Sequence, residues 1–302
     1  MSSRRKFIKT TGSLAGAAML GSLLNKNYWE KEPTSYKIPL YGHLWVYASR
    51  YPPNWDCTPI LDDVFGDLKY AGLQGVELME IILKQDDAVA RLNDLAGKYS
   101  LPVIGTSYYA DMWNKNKQQQ ILEDVEKVIE SLHAVGGTML GITVGDAKRV
   151  KTEEELNAQA ELLKKIIIVC AKYQVEPNLH NHTFEVAYDM HDLKGTLKRI
   201  PDIKLGPDLN WLIRGGIDPV WFINTYGHQI VFMHIRDQDS QGKWTETVGE
   251  GVTDFKAIAK ALKRISYKGK AAIELAFDKP SVHPLKENWK KSRKYVKKVF
   301  DW

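Results

Sequence analysis

The sequence predicts a single α/β domain, a (β/α)8 barrel, on the strength of two patterns. From Ile38 onward, short apolar runs alternate with amphipathic stretches eight times, which is the rhythm of βα units winding one parallel sheet. Four successive apolar runs also end in an acid or an imidazole, at His180, Asp208, His234 and Glu274. The strand ends of a parallel barrel converge on one face, so side chains placed there meet, whereas chance placement would scatter them over helices and outer faces.

The strands are expected at Ile38–Val46, Gly75–Met79, Pro102–Tyr108, Thr138–Val144, Val175–His182, Ile203–Leu209, Ile230–Ile235 and Ala271–Leu275. The helices between them are expected near Ile60–Ala71, Asp86–Tyr99, Gln118–Val135, Thr152–Tyr173, Met190–Arg199, Pro219–Tyr226, Asp254–Ile265 and Pro284–Lys297. The fourth helix shows the reasoning best. Thr152 and Glu155 form a capping box, and Leu156, Ala160, Leu163, Ile167 and Cys170 recur at three-to-four spacing, so that face packs on the sheet. In the seventh, Thr253 or Asp254 caps and Ile258, Ala261, Leu262 and Ile265 turn inward.

Residues 1–24 read as an export signal: Arg4-Arg5-Lys6 precedes a small-residue apolar run, Thr10 to Leu24, with no acid before Glu30. The paired arginines resemble a twin-arginine signal and predict a periplasmic protein. The run of about 15 residues falls short of the ~20 that span a bilayer, so the mature chain is expected to have no stable membrane span. Residues 25–36 are a polar linker, and 37–302 form the barrel. The signal carries four positive charges and no negative ones, so the +5 of the whole chain falls to +1 without it. No basic stripe with interleaved aromatics remains to suggest nucleic acid, and the lysine-rich last helix reads as solvated surface. Cys57 and Cys170 fall at opposite ends of a barrel and are expected as two free, buried thiols.

His180-Asn181-His182-Thr183-Phe184-Glu185 packs two imidazoles and a carboxylate at the end of an apolar run, which suits a divalent metal. Strand alternation puts Asn178, His180 and His182 on one side of the ribbon. Taken singly, each polar strand end has a bland explanation: a wall histidine can simply be hydrogen-bonded, and a strand-end aspartate often caps the next helix. Glu274, between Ile273 and Leu275, resists that explanation, because a buried carboxylate needs a cation or strong donors beside it.

These residues stand among a longer set of motifs: Gly75-Val76-Glu77-Leu78; His180-Asn181-His182 with Glu185; Asp208-Leu209-Asn210-Trp211, then Gly215-Gly216-Ile217-Asp218-Pro219; His234-Ile235-Arg236-Asp237; Val248-Gly249-Glu250-Gly251 with Asp254-Phe255; and Tyr267-Lys268-Gly269 running into Ile273-Glu274. In their order and spacing the chain resembles the xylose isomerase-like TIM barrel superfamily, the sugar phosphate isomerases/epimerases, over essentially the whole mature chain. The resemblance implies one divalent ion, commonly manganese, with zinc, cobalt or magnesium in some relatives, held by His180, Asp208, His234 and Glu274. Many members have a glutamate where this chain has His180. Either His180 replaces it, or Glu185 reaches back from the loop as the rival ligand.

That departure bears on the chemistry. Relatives that epimerise sugars use two carboxylates on opposite faces of a carbon next to a carbonyl. A metal-bound His180 leaves Glu274 as the base, with Glu185 or His182 as an acid, a pairing suited to one-sided proton transfer such as isomerisation through an enediol or elimination. The ion would polarise the substrate oxygen. Glu77, Tyr108 or Tyr109, and Trp211 are expected to bind substrate, and Arg236 either to contact it or to pair with Asp237. Trp45, Trp55, Trp113, Trp211 and Trp244 offer flat faces to sugar rings, with core packing as the competing role. Gly249 and Gly251 precede the seventh helix, where many barrels bind phosphate, but in this superfamily that loop is an ordinary turn.

The expected function is a metal-dependent sugar isomerase or epimerase with a small carbohydrate as partner, an unphosphorylated one if the protein is exported. The alternatives are a 3-keto-glycoside lyase or deglycosidase on the same barrel, and a non-catalytic carbohydrate-binding barrel. The related endonuclease barrel is disfavoured, because the extra histidines of a three-metal site are missing. Oligomeric state is not legible in the sequence.

Overall fold

The computed structural model describes residues 37–302; the export signal expected over 1–24 and the linker expected over 25–36 lie outside the described residues. β1 (Leu40–His43) leads to α1 (Trp45–Ala48) and α2 (Leu61–Ala71), and β2 (Val76–Met79) to α3 (Glu80–Leu83) and α4 (Ala88–Tyr99). β3 (Val103–Tyr109), β4 (Met139–Thr143) and β5 (Glu176–Leu179) are followed by α5 (Gln118–Ala134), α6 (Glu153–Lys172) and α7 (Thr183–Arg199). β6 (Lys204–Leu205) precedes α8 (Leu209–Arg214) and α9 (Pro219–Tyr226), β7 (His234–Ile235) precedes α10 (Phe255–Arg264), and β8 (Ala271–Glu274) precedes α11 (Leu285–Phe300).

The strands pair in parallel in the order β6-β5-β4-β3-β2-β1-β8-β7, and parallel bridges Leu205↔Ile230 and Asp208↔His234 close β6 onto the β7 segment. All eight expected units are present, in a closed (β/α)8 barrel. Every strand but β3 is shorter than expected, β6 and β7 being reduced to two residues each. Beyond β6 comes Gly206-Pro207, and Pro207 has no N–H to continue the ladder with β5. The chain before β7 still bonds to both neighbours, Val231 N donating to Leu205 O and Met233 N to Lys270 O, while Val231 O accepts from Lys270 N and Met233 O from Ala272 N.

The inside of the barrel is built by the period of two along each strand. Tyr41, Ile104, Met139, Phe232 and Ala272 pack together as an apolar floor. Two residues further on, β1, β7 and β8 present His43, His234 and Glu274, so a polar layer rests on the apolar one. Gly206 belongs to this construction: a Cβ there would fall 1.8 Å from Asn178 Oδ1, so only glycine lets Asn178 fill the interior.

Outside the sheet the helices bury the faces that their periodicity predicts. α10 buries Phe255, Ile258, Ala261 and Leu262, the three large side chains contributing about 1.5–3 kcal/mol each. α6 carries the expected capping box, Thr152 Oγ1 accepting from Glu155 N and Glu155 Oε2 from Thr152 N. Ile166 rather than Ile167 is fully buried on it. α7 begins seven residues before the expected Met190 but breaks at Ala187–Met190, where Tyr188, Asp189 and Met190 take positive φ of 50°, 56° and 58°. The expected helix is its second half. Both cysteines are buried and unpaired, and burial pushes each thiol up to about 12. Among the described residues no helix is long and apolar enough to cross a membrane.

Candidate active site

His180, Asp208, His234 and Glu274, all buried, each offer one ligand atom, and these four atoms lie within 4.8 Å of one another. They arrive from the ends of β5, β6, β7 and β8. The register explains the meeting: Asp208 bridges to His234, and His234 and Glu274 are both inward-facing residues two places beyond the apolar floor.

At His234, Nε2 lies 2.6 Å from Glu77 Oε2 and Nδ1 lies 3.2 Å from Glu274 Oε2. Burial acts to lower its pKa but is outweighed by Glu77, Glu274 and Asp208, which raise it to about 9. Asp208 divides its oxygens. Oδ1 caps α8, accepting from Asn210 N at 2.9 Å and Trp211 N at 3.0 Å, while Oδ2 accepts from Arg236 Nε at 2.8 Å. The capping role and the cluster role therefore coexist on one carboxylate. Glu274 Oε1 accepts from Arg236 Nη2, and its Oε2 faces the imidazoles of His234 and, at 3.7 Å, His43. Burial, then the neighbouring His234, His182, Arg236 and His43, hold His180 well below the usual histidine range, so its ring is neutral.

Three buried atoms of this cluster, His180 Nδ1, His234 Nδ1 and Glu274 Oε2, make no hydrogen bond, the last two facing each other only as an ion pair at 3.2 Å. Such orphans are costly unless something unites them, and a divalent cation accepts all three. Two imidazoles with two carboxylates suit a borderline ion. The contact of Glu77 with the far nitrogen of His234 is the carboxylate–histidine arrangement that orients a metal ligand. The residues present fit the ion. His43, Glu77 and His234 form a second close group, but there the Glu77–His234 contact is already a hydrogen bond.

Other expected site residues fall elsewhere. Glu185 does not reach back to the cluster. It is buried, its Oε2 accepting from His182 N at 2.6 Å and its Oε1 from Val144 N at 3.2 Å, and burial with Asp192 nearby raises its pKa well above the usual range. Both oxygens are spent holding the ends of β4 and β5 together, which corrects the ligand and acid roles expected of it. Glu77 is likewise no substrate contact: it sits 2% exposed behind His234. The Tyr108 hydroxyl is turned outward onto Asp124 Oδ2 at 2.9 Å, so only its ring borders the site. Tyr109 is half exposed at the mouth, its hydroxyl accepting from Asp146 N. Arg236 pairs with Asp208 and Glu274 rather than Asp237. Asp237 instead collects the N–H groups of Gly249, Gly251 and Thr253, donors that a phosphate at that loop would need.

The cluster opens into a cavity of about 470 Å³. His180, His182, Arg236 and Glu274 line it with Trp45, Trp55, Trp211, Trp244 and Tyr109. The ring of His182 stacks on Phe184, and its Nδ1 lies 3.3 Å from Thr143 Oγ1. Burial and then Arg236 lower its pKa to about 4, so at neutral pH it is an uncharged imidazole. His43, Ser107, Thr143 and Glu80 also line the cavity and were not expected from sequence. His43 obeys the strand-end rule, closing Tyr41-Gly42-His43, and burial lowers its pKa to about 3. Glu80 follows β2 directly, and burial raises its pKa. A larger open crevice of about 980 Å³, between α1, α2 and the segment leading to α11, contains none of the cluster residues.

An inosose dehydratase of Klebsiella pneumoniae is 21% identical over 270 residues, covering 78% of this chain and 89% of its own length. The D-allulose 3-epimerase of a Methylomonas species, solved with D-allulose, matches with a TM-score of 0.69 and 17% identity over 87% of this chain and 98% of its own. A 3-keto-D-glucoside 4-epimerase from E. coli matches with a TM-score of 0.65 and 14% identity over 87% and 100%. At such identities the solved structures establish a common fold. Residues 65–299, from within α2 to the end of α11, match a single family description, and by that match the chain belongs to the xylose isomerase-like TIM barrel family.

Proposed function

We propose that this protein is a metal-dependent enzyme that moves a proton next to the carbonyl of a sugar or keto-sugar, an isomerase/epimerase-type reaction. The observation that carries the reading is the convergence of one ligand atom each from His180, Asp208, His234 and Glu274 within 4.8 Å, at the bottom of an aromatic-walled cavity. The names of the similar proteins, a dehydratase of inosose and epimerases of D-allulose and 3-keto-D-glucoside, support a carbohydrate substrate. His180, Asp208, His234 and Glu274 would hold the ion, with manganese the best-suited and zinc, cobalt or magnesium as alternatives. When bound, it supplies Lewis-acid polarisation of the substrate oxygen.

The remaining work falls to side chains. Trp45, Trp211 and Trp244 offer ring faces to the apolar face of the sugar. Glu274, buried and facing the cavity, takes the proton from the carbon next to the carbonyl. His182, with Nδ1 engaged by Thr143, keeps Nε2 for a substrate hydroxyl, and its neutrality lets it donate or accept there. Glu80 lines the same cavity with a carboxyl whose pKa burial raises, which favours its protonated form and suits it to return a proton.

The aromatic pairs Trp45–Trp55, with centroids 5.5 Å apart, and Trp211–Trp244, 5.2 Å apart, favour a second reading on the same site, in which a 3-keto-glycoside loses its aglycone by elimination. The basic-then-apolar sequence of residues 1–24 supports export by the twin-arginine route, and with it an unphosphorylated substrate. The test is to strip the protein of metal, add back manganese, and follow exchange of substrate C–H with solvent deuterium over free ketoses and 3-keto-glucosides. Exchange only with metal present is the expected result, and release of the aglycone would select the second reading. Ligand binding without exchange under any metal would leave a carbohydrate-binding barrel.

A further inference from the structure

The ligand cluster already contains a cation of its own. Arg236 is 3% exposed, and its guanidinium lies between the two carboxylates of the cluster. Nε is 2.8 Å and Nη2 2.7 Å from Asp208 Oδ2, and Nη2 also meets Glu274 Oε1. Two indoles flank it, with the Trp244 and Trp211 centroids 4.7 and 5.3 Å from its Cζ. Arg214 stacks on the same two rings and is anchored by Gln238 Oε1 at 2.9 Å. A divalent ion held by His180, Asp208, His234 and Glu274 would be a second cation drawing on these same two carboxylates. Two cations sharing one pair of carboxylates in a dry interior oppose each other strongly.

We propose that Arg236 is an exchangeable internal cation of the metal site. In the metal-free protein it bridges Asp208 and Glu274 and cancels their mutual repulsion; when the metal binds, the guanidinium gives up Glu274 and swings along Trp211 and Trp244 into the sugar cavity. The proposal rests on the metal-dependent reading above. Release of Glu274 does not leave the guanidinium unpaired, because Asp208 Oδ2 and both indole faces remain to it. Arg236 lines the cavity, so the donors set free by the exchange face substrate oxygens. Metal loading and substrate binding are thereby coupled through one side chain: each favours the position of Arg236 that the other needs.

The competing role is that of an ordinary outer partner that orients the two carboxylates, and it predicts the opposite sign. Removing such a partner weakens metal binding by about 10–100-fold. Removing an antagonistic charge strengthens it, here by about tenfold or more. The experiment is calorimetric titration of the metal-free full-length protein with zinc and with manganese, for wild type, Arg236→Gln and Arg236→Lys. Tighter binding in Arg236→Gln, with Arg236→Lys in between, supports the exchange; equal or weaker binding overturns it.

A second measurement uses the wild-type protein and needs no folded Arg236 variant. Titration with zinc, a closed-shell ion, should change tryptophan emission as the guanidinium moves on the indoles, and Trp244→Phe should lose most of that change. Saturable zinc binding without any emission change overturns the exchange alone. If neither wild type nor Arg236→Gln binds a divalent ion, the metal-dependent reading fails and this proposal fails with it.

Discussion

At His234 the nitrogen available to a ligand is chosen by Glu77. The 2.6 Å contact between Glu77 Oε2 and Nε2 holds a proton on that nitrogen, so Nδ1, beside Glu274, is the nitrogen a cation would take once its own proton leaves. Glu77→Gln should therefore weaken divalent-metal binding by about 10–100-fold while the barrel stays folded, as read by calorimetric metal titration. Glu77 sits near the end of β2 and looked like a sugar contact, since the strand-end rule places a residue at the mouth but not at a depth within it. Its depth depends on the stagger of β1 against β2, where His43 pairs with Glu77, and on His234 reaching it from 157 residues away. Glu185 shows the same limit. Its spacing from His180 allowed it to reach the cluster, but the unpaired N–H groups of His182 and Val144 claim both its oxygens.

Among the elements, α6 is the one whose local sequence says most about it. Thr152 and Glu155 close its capping box, and Arg149 grips Glu155 through both oxygens at 2.7 Å. Arg149, against the opposing effect of burial and with help from Thr152 N, holds the Glu155 carboxyl down at about 2. Because the folded value lies below the ordinary 4.5, the stability from this group is fully present above about pH 4.5 and is lost as pH falls toward 2. Glu155→Gln keeps a capping side chain but no charge, so it should lose that stability at pH 7, by about 0.2–1 kcal/mol for so exposed a pair, and flatten the stability curve between pH 2 and 4.5 by the same amount, measured by urea unfolding at a series of pH values. α7 was legible only in its second half. Three consecutive left-handed residues, Tyr188, Asp189 and Met190, none of them glycine, separate it from a first turn that helical periodicity alone does not mark.

For the whole molecule, the stacking of a polar layer on an apolar floor separates folding from function. Tyr41, Ile104, Met139, Phe232 and Ala272 hold the interior together below the site, so the ligands above them are free to be chosen for chemistry. Metal binding should then appear as added stability on a barrel that already folds without it. At a free metal concentration one hundred times the dissociation constant, the gain is about 2.7 kcal/mol. Thermal denaturation with manganese and with a chelator should show that gain as a rise in Tm, and His180→Ala should abolish the rise while leaving the metal-free protein cooperative.

The sequence by itself determined the number and order of the βα units, the inward faces of the helices, and the four strand ends that carry His180, Asp208, His234 and Glu274. All of these follow from short-range patterns: periods of 2 and 3.6, caps, and the rule that strand ends share a face. Only the tertiary structure decided which atoms meet: Arg236 lodged between Asp208 and Glu274, Glu77 behind His234, and the Tyr108 hydroxyl turned away onto Asp124. Those contacts depend on strand stagger and barrel closure, which bring together residues with no local pattern in common, and their geometry is set by where buried polar groups can find partners.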